Sequence, residues 1–134
     1  MADLVGIVLV SHSRDLALGL RAVLSQVGGE SVPVAAAGGT DDGRIGTSYE
    51  LIAEAIAAVD HGSGVVVLTD LGSAVLTAKA VLSDRTAEAS GSEVVLVDTP
   101  FVEGAVAAAV IAATGADLAT VRAAAEEARD VRKL

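Results

Sequence analysis

The chain alternates short runs that are apolar at every position with longer segments in which apolar residues recur every three or four positions. Continuous apolar runs are typical of strands buried on both faces of a sheet, and the wider spacing is typical of helices with one buried face. The alternation predicts a strand before each of the first four helices. We predict strands at 4–11, 32–36, 64–69 and 94–97, helices at 13–27, 47–59, 73–82, 102–113 and 117–132, a loop at 37–46 and a polar surface connection at 83–93.

Polar side chains mark the ends of two of these helices. Thr47 and Glu50 are three residues apart, which predicts a capping box in which the hydroxyl and the carboxylate each bind a backbone N–H. His61 follows the same helix, where a hydrogen-bond donor suits the last carbonyl groups, so we predict a structural role for it. Asp117 begins the last helix and basic residues lie in its final turn, an arrangement that suits the helix dipole.

Strands that alternate with helices predict an α/β fold with a doubly wound, mainly parallel sheet and helices on both faces. We expect one domain over residues 1–134, because a chain of this length can bury a hydrophobic core large enough to fold without disulfides or metals. With four strands we expect the order 2-1-3-4, because right-handed crossovers then place the helices on opposite faces. Ligands and chemistry belong where the winding reverses, at the carboxyl ends of strands one and three.

Composition and charge exclude several classes of protein. Hydrophobic residues make up 52% of the chain but aromatic residues only 1%, so the core must consist of Ala, Val, Leu and Ile. The formal charge of -9, with no basic stretch, argues against nucleic-acid binding. The chain has no cysteine, and no apolar run approaches the roughly 20 residues of a spanning helix. The first residues lack the basic flank of a secretion signal, so we expect a cytoplasmic protein that binds no membrane.

His12 and Asp70 directly follow the first and third apolar runs. Neighbouring strands are about 4.8 Å apart, so an imidazole and a carboxylate at matching strand ends can form a hydrogen bond. The carboxylate would fix the ring tautomer and leave the other nitrogen free to attack, facing the anion-binding start of the helix near Ser13. Ser73 could supply a hydroxyl and an amide. This set predicts a phosphohistidine site, although His12 could also be a plain turn residue and Asp70 a cap.

Other chemistry fits the sequence poorly. The glycines of GGTDDGRIGTS match neither the Walker pattern nor the dinucleotide fingerprint, so no nucleotide and no other cofactor is expected. Ser11 and Ser13 flank His12 but should project away from its ring, which argues against a serine hydrolase. A metal would need more ligands than His12 and Asp70, and Asp41 and Asp42 are better explained as turn residues. We therefore predict no metal.

Four segments together carry a resemblance to a known family. They are GIVLVSHS around His12, GGTDDGRIGTS at positions 38–48, VVVLTDLGSAVLTAK around Asp70 and VDTPFVEGAVAA from position 97. The chain resembles the phosphotransferase subunit of the phosphoenolpyruvate (PEP)-dependent dihydroxyacetone kinase, whose first domain is similar to the mannose-type IIA domains of the sugar phosphotransferase system (PTS). The blocks occur in family order, and only the last helix carries little motif information.

The resemblance implies that His12 is phosphorylated by the phosphohistidine carrier protein HPr and donates to ADP on the nucleotide-binding subunit of the kinase. It also implies a homodimer and makes Asp70 the carboxylate partner of His12. Some members continue into HPr-like and enzyme I-like domains, whereas this chain stops after one domain, so we expect a separate donor protein. The phosphate-binding residues would be Ser13, Gly72 and Ser73, and a loop for partner proteins would include Gly39, Thr40, Arg44, Gly46 and Thr47.

Three alternatives remain open at this point. The chain could be a mannose-type IIA component of sugar transport, but those relatives have a Gly-Gly-Ser-Pro turn where this sequence has DLGSA. It could instead be a domain that senses phosphorylation, or a small-molecule-binding module with an idle histidine. Arg44, or Arg14, could assist the charge of a phosphoryl group, although arginines on loops are usually only solvated.

Overall fold

The computed structural model describes residues 3–88 and 91–134. Within them the chain forms one four-stranded, fully parallel sheet of strand order β2-β1-β3-β4. The predicted fold class and strand order are confirmed. The strands are β1 (Gly6–Ser11), β2 (Val34–Gly38), β3 (Val65–Thr69) and β4 (Val94–Leu96).

Helices cover both faces of the sheet, because alternate residues of the central strands point to opposite sides. Ile7 and Leu9 of β1 pack on one side, and Val8 and Val10 pack on the other, all fully buried. The first side is covered by α1 (Arg14–Val27), α4 (Phe101–Ala112) and α5 (Leu118–Glu127), and the second by α2 (Tyr49–Val59) and α3 (Gly72–Glu88). Among the helices described, none is long and apolar enough to cross a membrane.

The second strand lies two residues later than predicted, at Val34–Gly38 rather than 32–36. Pro33 has no N–H to give to a strand ladder, so the strand begins after it. The strand extends to Gly38 because this position packs against α1: a side chain there would collide with the backbone of Ser13 and Arg14. The predicted loop is therefore shorter at its start.

The predicted capping box at the start of α2 is wrong. The N-cap is Ser48, whose hydroxyl accepts a hydrogen bond from the N–H of Leu51 at 3.1 Å. Thr47 instead places its hydroxyl 2.8 Å from that of Thr77 on α3. The contact between two helices thus decides which of two adjacent hydroxyl residues becomes the cap.

The end of α2 also differs from the prediction. Its C-cap is Asp60, whose N–H donates to the carbonyl of Ile56 at 3.0 Å. His61 is exposed, and its ring makes no hydrogen bond to any described residue, so the expected contact with the last carbonyl groups is not formed.

The last helices differ in length from the prediction. The third, α3, continues to Glu88, six residues into the predicted polar connection, whereas residues 89 and 90 lie outside the described residues. Asp117 is confirmed as the N-cap of α5, but this helix ends at Glu127 and a short 3₁₀ turn follows at Ala128–Asp130. Lys133 therefore lies beyond the helix and pairs with Glu103 of α4 at 2.6 Å.

Candidate functional site

The central strands bring His12 and Asp70 together at the predicted reversal of winding. Val10 of β1 is in register with Thr69 of β3, and the N–H of Asp70 donates to the carbonyl of Val10 at 3.1 Å. Asp70 follows Thr69 directly, and Ser11 and His12 follow Val10. These three polar side chains therefore lie together where the two strands end.

The two ring nitrogens of His12 have different hydrogen-bond partners. Its Nδ1 lies 2.9 Å from Oδ1 of Asp70, and its Nε2 lies 2.6 Å from Oγ of Ser73. An ionised carboxylate can only accept a hydrogen bond, so this network assigns the proton to Nδ1. The lone pair on Nε2 then accepts from the Ser73 hydroxyl. The side chain of His12 keeps 18% of its surface exposed, which leaves this side of the ring accessible.

The carboxylate of Asp70 accepts four hydrogen bonds from described residues. Its Oδ2 accepts from the Ser11 hydroxyl at 2.8 Å and the His12 N–H at 2.9 Å, and its Oδ1 accepts from the ring and from the Leu71 N–H at 2.6 Å. Burial raises the pKa of Asp70, but these donors outweigh burial and hold its pKa below the ordinary value. Asp70 is thus an ionised carboxylate whose two oxygens both accept hydrogen bonds and whose Oδ1 orients the His12 ring.

Ser11 belongs to this cluster, although sequence reasoning assigned it no role. It is fully buried, and its hydroxyl reaches Asp70 rather than the ring, in keeping with the expected direction away from His12. The signal in the sequence is a single serine that ends an otherwise apolar strand. A serine at this position can donate its hydroxyl to the Asp70 carboxylate from the buried side of the His12–Asp70 pair.

The starts of α1 and α3, at Ser13 and Ser73, differ in their contact with the His12 ring. Ser13 is the N-cap of α1: its hydroxyl accepts from the Leu16 N–H at 3.2 Å, and its own N–H donates to Ser11 at 3.0 Å. The exposed nitrogen of His12 contacts Ser73, in the first turn of α3, instead of Ser13. The helix start that this nitrogen meets is therefore that of α3.

Gly72 and Ser73 open α3 beside the ring. Their N–H groups have no hydrogen-bond acceptor among the described residues, as expected of a first helical turn. A side chain added at Gly72 would meet no atom within 4 Å, so the glycine is not required there by close packing. An anion that bonds to Nε2 would lie next to this turn.

The predicted partner loop is tied to the backbone around His12. The N–H of Gly39 donates to the carbonyl of Ser11 at 3.1 Å, and the N–H of Gly46 donates to the carbonyl of His12 at 2.9 Å. Both glycines have positive φ, at 77° and 145°, which other residues rarely adopt. Two glycines therefore hold the loop against the site, and any other residue at these positions would strain the backbone.

Charged and polar side chains of the same loop are engaged within it. Arg44 pairs with Asp42, with Nη2 2.7 Å from Oδ2, and the hydroxyl of Thr40 donates to the same carboxylate at 2.5 Å. The guanidinium is 82% exposed. Arg14 forms no ion pair with any described residue. Neither arginine contacts His12, so the ring, Asp70 and Ser73 form the centre of the site.

Large apolar side chains are exposed around this centre, a feature that the sequence did not reveal. Leu71 follows Asp70 and is 61% exposed, and Leu76, one helical turn beyond Ser73, is 71% exposed. Ile45 precedes Gly46 in the partner loop and is 76% exposed. We call these three residues the apolar rim. Exposed aliphatic side chains next to a reactive group are typical of a surface that other proteins contact.

The described residues contain no group of three or more metal-ligating side chains. Together the fold and the site define a parallel α/β domain that presents a carboxylate-oriented histidine at its switch point. The sequence matches the family EIIA-man, described as "PTS system fructose IIA component", over residues 6–122. The chain belongs to this family.

Several relatives extend the comparison. The chain is 37% identical over 107 residues to "PEP-dependent dihydroxyacetone kinase 2, phosphoryl donor subunit DhaM" of Listeria innocua, which covers 80% of this chain and 85% of the relative. It is 31% identical over 117 residues to "PTS-dependent dihydroxyacetone kinase, phosphotransferase subunit DhaM" of Lactococcus lactis, covering 87% and 89%. The resemblance inferred from the motifs is confirmed.

Two further comparisons concern chain length and fold. The Escherichia coli phosphoryl donor subunit DhaM is 39% identical over 118 residues, which are 86% of this chain but 25% of that protein. The crystal structure of the unknown function protein EF1359 superposes with a TM-score of 0.78 at 32% identity, covering 92% of this chain and 93% of the other. The fold is therefore shared with a solved structure over nearly its whole length.

Proposed function

We propose that this chain is the phosphoryl donor subunit of a PEP-dependent dihydroxyacetone kinase. In this role His12 takes a phosphoryl group from phospho-HPr and passes it to ADP on the nucleotide-binding subunit of the kinase. The observation that carries the proposal is the ring of His12, whose Nδ1 is bound to Asp70 and whose Nε2 contacts only the Ser73 hydroxyl among the described residues. The names of the relatives supply the substrate class.

The chemistry is a double displacement at phosphorus. The lone pair of Nε2 attacks the phosphoryl group of the donor, so a new N–P bond forms as the donor's N–P bond breaks. A terminal phosphate oxygen of ADP then attacks the same phosphorus, which yields ATP and restores the neutral ring. Asp70 orients the ring and stabilises the positive charge that develops on it in the first step.

We propose that the Ser73 hydroxyl and the N–H groups of Gly72 and Ser73 bind the transferred phosphoryl oxygens. The hydroxyl of Ser73 donates to Nε2 in the free protein, and it can turn to a phosphoryl oxygen once the N–P bond has formed. The N–H groups of Gly72 and Ser73, which have no acceptor among the described residues, would supply two further donors. The contribution of Ser13 stays a prediction, because its hydroxyl already caps α1.

Partner proteins reach the site over the apolar rim and the loop held by Gly39 and Gly46. Both the donor and the acceptor must approach one exposed nitrogen, so they bind in turn and not together. The rim residues are aliphatic, which suits repeated binding to two different proteins better than a set of fixed ion pairs would. Arg44, Thr40 and Thr47 stay predicted contacts of this loop. The homodimer and the cytoplasmic location stay predictions.

The first experiment is phosphorylation with radiolabelled phosphoenolpyruvate, enzyme I and HPr. The protein should gain one acid-labile phosphate. His12→Ala should abolish this label, because no other described side chain presents a ring nitrogen to the site. His61→Ala is the matched control, since His61 is exposed and precedes β3, whereas Asp70 follows this strand. A labelled His12→Ala protein would contradict the proposal.

A chase with the ADP-loaded nucleotide-binding subunit tests the second step. The label should leave His12 and appear in ATP. Retention of the label in the presence of this subunit would contradict a donor role and favour a domain that senses phosphorylation. Transfer to a sugar-transport component instead would assign the chain to the transport branch of its family.

A further inference from the structure

Ser11 lies beneath the site and is the buried hydroxyl that the chemistry above does not use. It is fully buried at the end of β1. Its hydroxyl donates to Oδ2 of Asp70 at 2.8 Å and accepts the N–H of Ser13 at 3.0 Å. Ser11 therefore links the N-cap of α1 to the carboxylate that holds His12.

We propose that Ser11 is a positioning residue for phosphoryl transfer, acting on His12 through Asp70. The inference rests on the proposed function for its kinetic consequence. Ser11 forms no hydrogen bond to the ring or to Ser73, so it acts on the ring only by fixing the rotation of the Asp70 carboxylate. That rotation decides which oxygen faces Nδ1.

The hydrogen bonds of Ser11 explain why its hydroxyl proton points to one acceptor. A serine hydroxyl has one proton to donate, and the Ser11 oxygen already accepts from Ser13. Its proton is thus free for Asp70 alone among the described acceptors. With Ser11 and the His12 N–H on Oδ2, the carboxylate presents Oδ1 to the ring.

Loss of this hydroxyl would loosen the carboxylate and weaken the preference of the ring for a proton on Nδ1. A proton on Nε2 instead blocks the attacking lone pair, so the reactive tautomer becomes less populated. Binding of the donor protein should stay as it is, since Ser11 has no exposed surface. The expected signature is a slower chemical step with an unchanged KM.

The test compares Ser11→Ala with Ser92→Ala. Ser92 is a matched control, because its hydroxyl also donates to an aspartate, Asp60, at the opposite end of β3. For Ser11→Ala we expect the rate of His12 phosphorylation at saturating phospho-HPr to fall about tenfold with KM unchanged. Ser92→Ala should keep the wild-type rate at a temperature where both variants are folded.

Imidazole ¹⁵N NMR of the unphosphorylated protein gives a second readout that needs no partner. The Ser11→Ala spectrum should show a larger fraction of the tautomer protonated on Nε2 than the wild-type spectrum. A rate within twofold of wild type, or a slower rate with an unchanged tautomer ratio, would overturn the proposal. If Ser11→Ala is unfolded, Ser11→Cys replaces it, since the thiol avoids an empty space at this buried position and is a weaker donor than the hydroxyl.

The two readouts also separate this inference from the proposed function. If the wild-type protein takes no label from phospho-HPr, the proposed function fails, and the tautomer ratio still decides whether Ser11 positions the ring. If labelling succeeds and Ser11→Ala matches the wild type in both readouts, only the role of Ser11 fails.

Discussion

Two aspartates stand at opposite ends of β3 in similar surroundings. Asp60 precedes the strand and accepts from the Arg85 guanidinium at 2.6 Å, from the N–H groups of Gly62 and Ser92 at 3.1 Å and from the Ser92 hydroxyl. Asp70 follows the strand and accepts from a serine hydroxyl, two N–H groups and the His12 ring. Each carboxylate thus has a serine, backbone donors and one nitrogen-rich side chain.

The difference lies in what the nitrogen-rich side chain can do next. The Arg85 guanidinium carries a permanent charge and cannot act as a nucleophile, so the Asp60 cluster only joins α2, α3 and the segment before β4. The His12 imidazole has a second nitrogen with a lone pair, and this nitrogen points to Ser73 and solvent. The same carboxylate arrangement therefore builds an anchor at one end of the strand and a reactive group at the other.

Among the variants that keep His12, Asp70→Asn should have the largest effect on activity. The side-chain amide can donate to Nδ1 and so stabilise the proton on Nε2, which removes the attacking lone pair. We expect the rate of His12 phosphorylation to fall about a thousandfold with the fold retained, as measured by single-turnover transfer from phospho-HPr. Asp98→Asn is the control, since Asp98 follows β4 but is 91% exposed and should leave the rate unchanged. A fall of less than tenfold in Asp70→Asn would mean that the ring does not need the carboxylate.

Asp60→Ala should affect stability and leave transfer unchanged. It leaves the mostly buried Arg85 without its carboxylate, so we expect the free energy of unfolding to fall by about 2 kcal/mol, measured by urea denaturation at pH 7. The transfer rate of the folded variant should equal that of the wild type. A slowed transfer would contradict this prediction, because it would show that the Asp60 cluster influences His12 at the other end of β3.

The same variant reports on the effect of pH. The pKa of Asp60 is lower than its ordinary value, mainly because its carboxylate accepts a hydrogen bond from the Ser92 hydroxyl. Burial raises this pKa, but Ser92 and the further donors outweigh burial. In acid the unfolded chain therefore takes up a proton before the folded protein does. The stability that Asp60 provides is present above its unfolded pKa, near 4, and is lost as pH falls through the lower folded pKa. The difference in stability between wild type and Asp60→Ala should shrink from pH 7 to pH 3.

The sequence predicts the reactive end of β3 better than the details around it. His12 and Asp70 each follow an apolar run, and the strand order that those runs imply makes the two residues neighbours. Ser11 could not be assigned a role in the same way. Its direction away from the ring was predicted, but its bond to Asp70 depends on how the carboxylate is rotated in three dimensions.

Helix starts were harder to predict because several hydroxyl residues compete for similar positions. Ser13 and Ser73 both lie near a helix start, and the ring orientation set by Asp70 determines that Nε2 meets Ser73. Thr47 and Ser48 are adjacent, and the contact of Thr47 with Thr77 leaves the cap to Ser48. In both cases tertiary contacts decide between neighbours that local sequence treats as equivalent.

Ser73→Ala should slow transfer less than Asp70→Asn does, although both residues contact the His12 ring. The Ser73 hydroxyl stabilises the free ring through Nε2 before the reaction and the phosphoryl oxygens during it, so part of its contribution cancels. We expect the rate of His12 phosphorylation to fall by about tenfold or less, measured under the same single-turnover conditions. The tautomer ratio of His12 should stay that of the wild type, because Asp70 is untouched. A thousandfold loss would contradict this, since it would place the essential stabilisation in the hydroxyl and not in the histidine and aspartate pair.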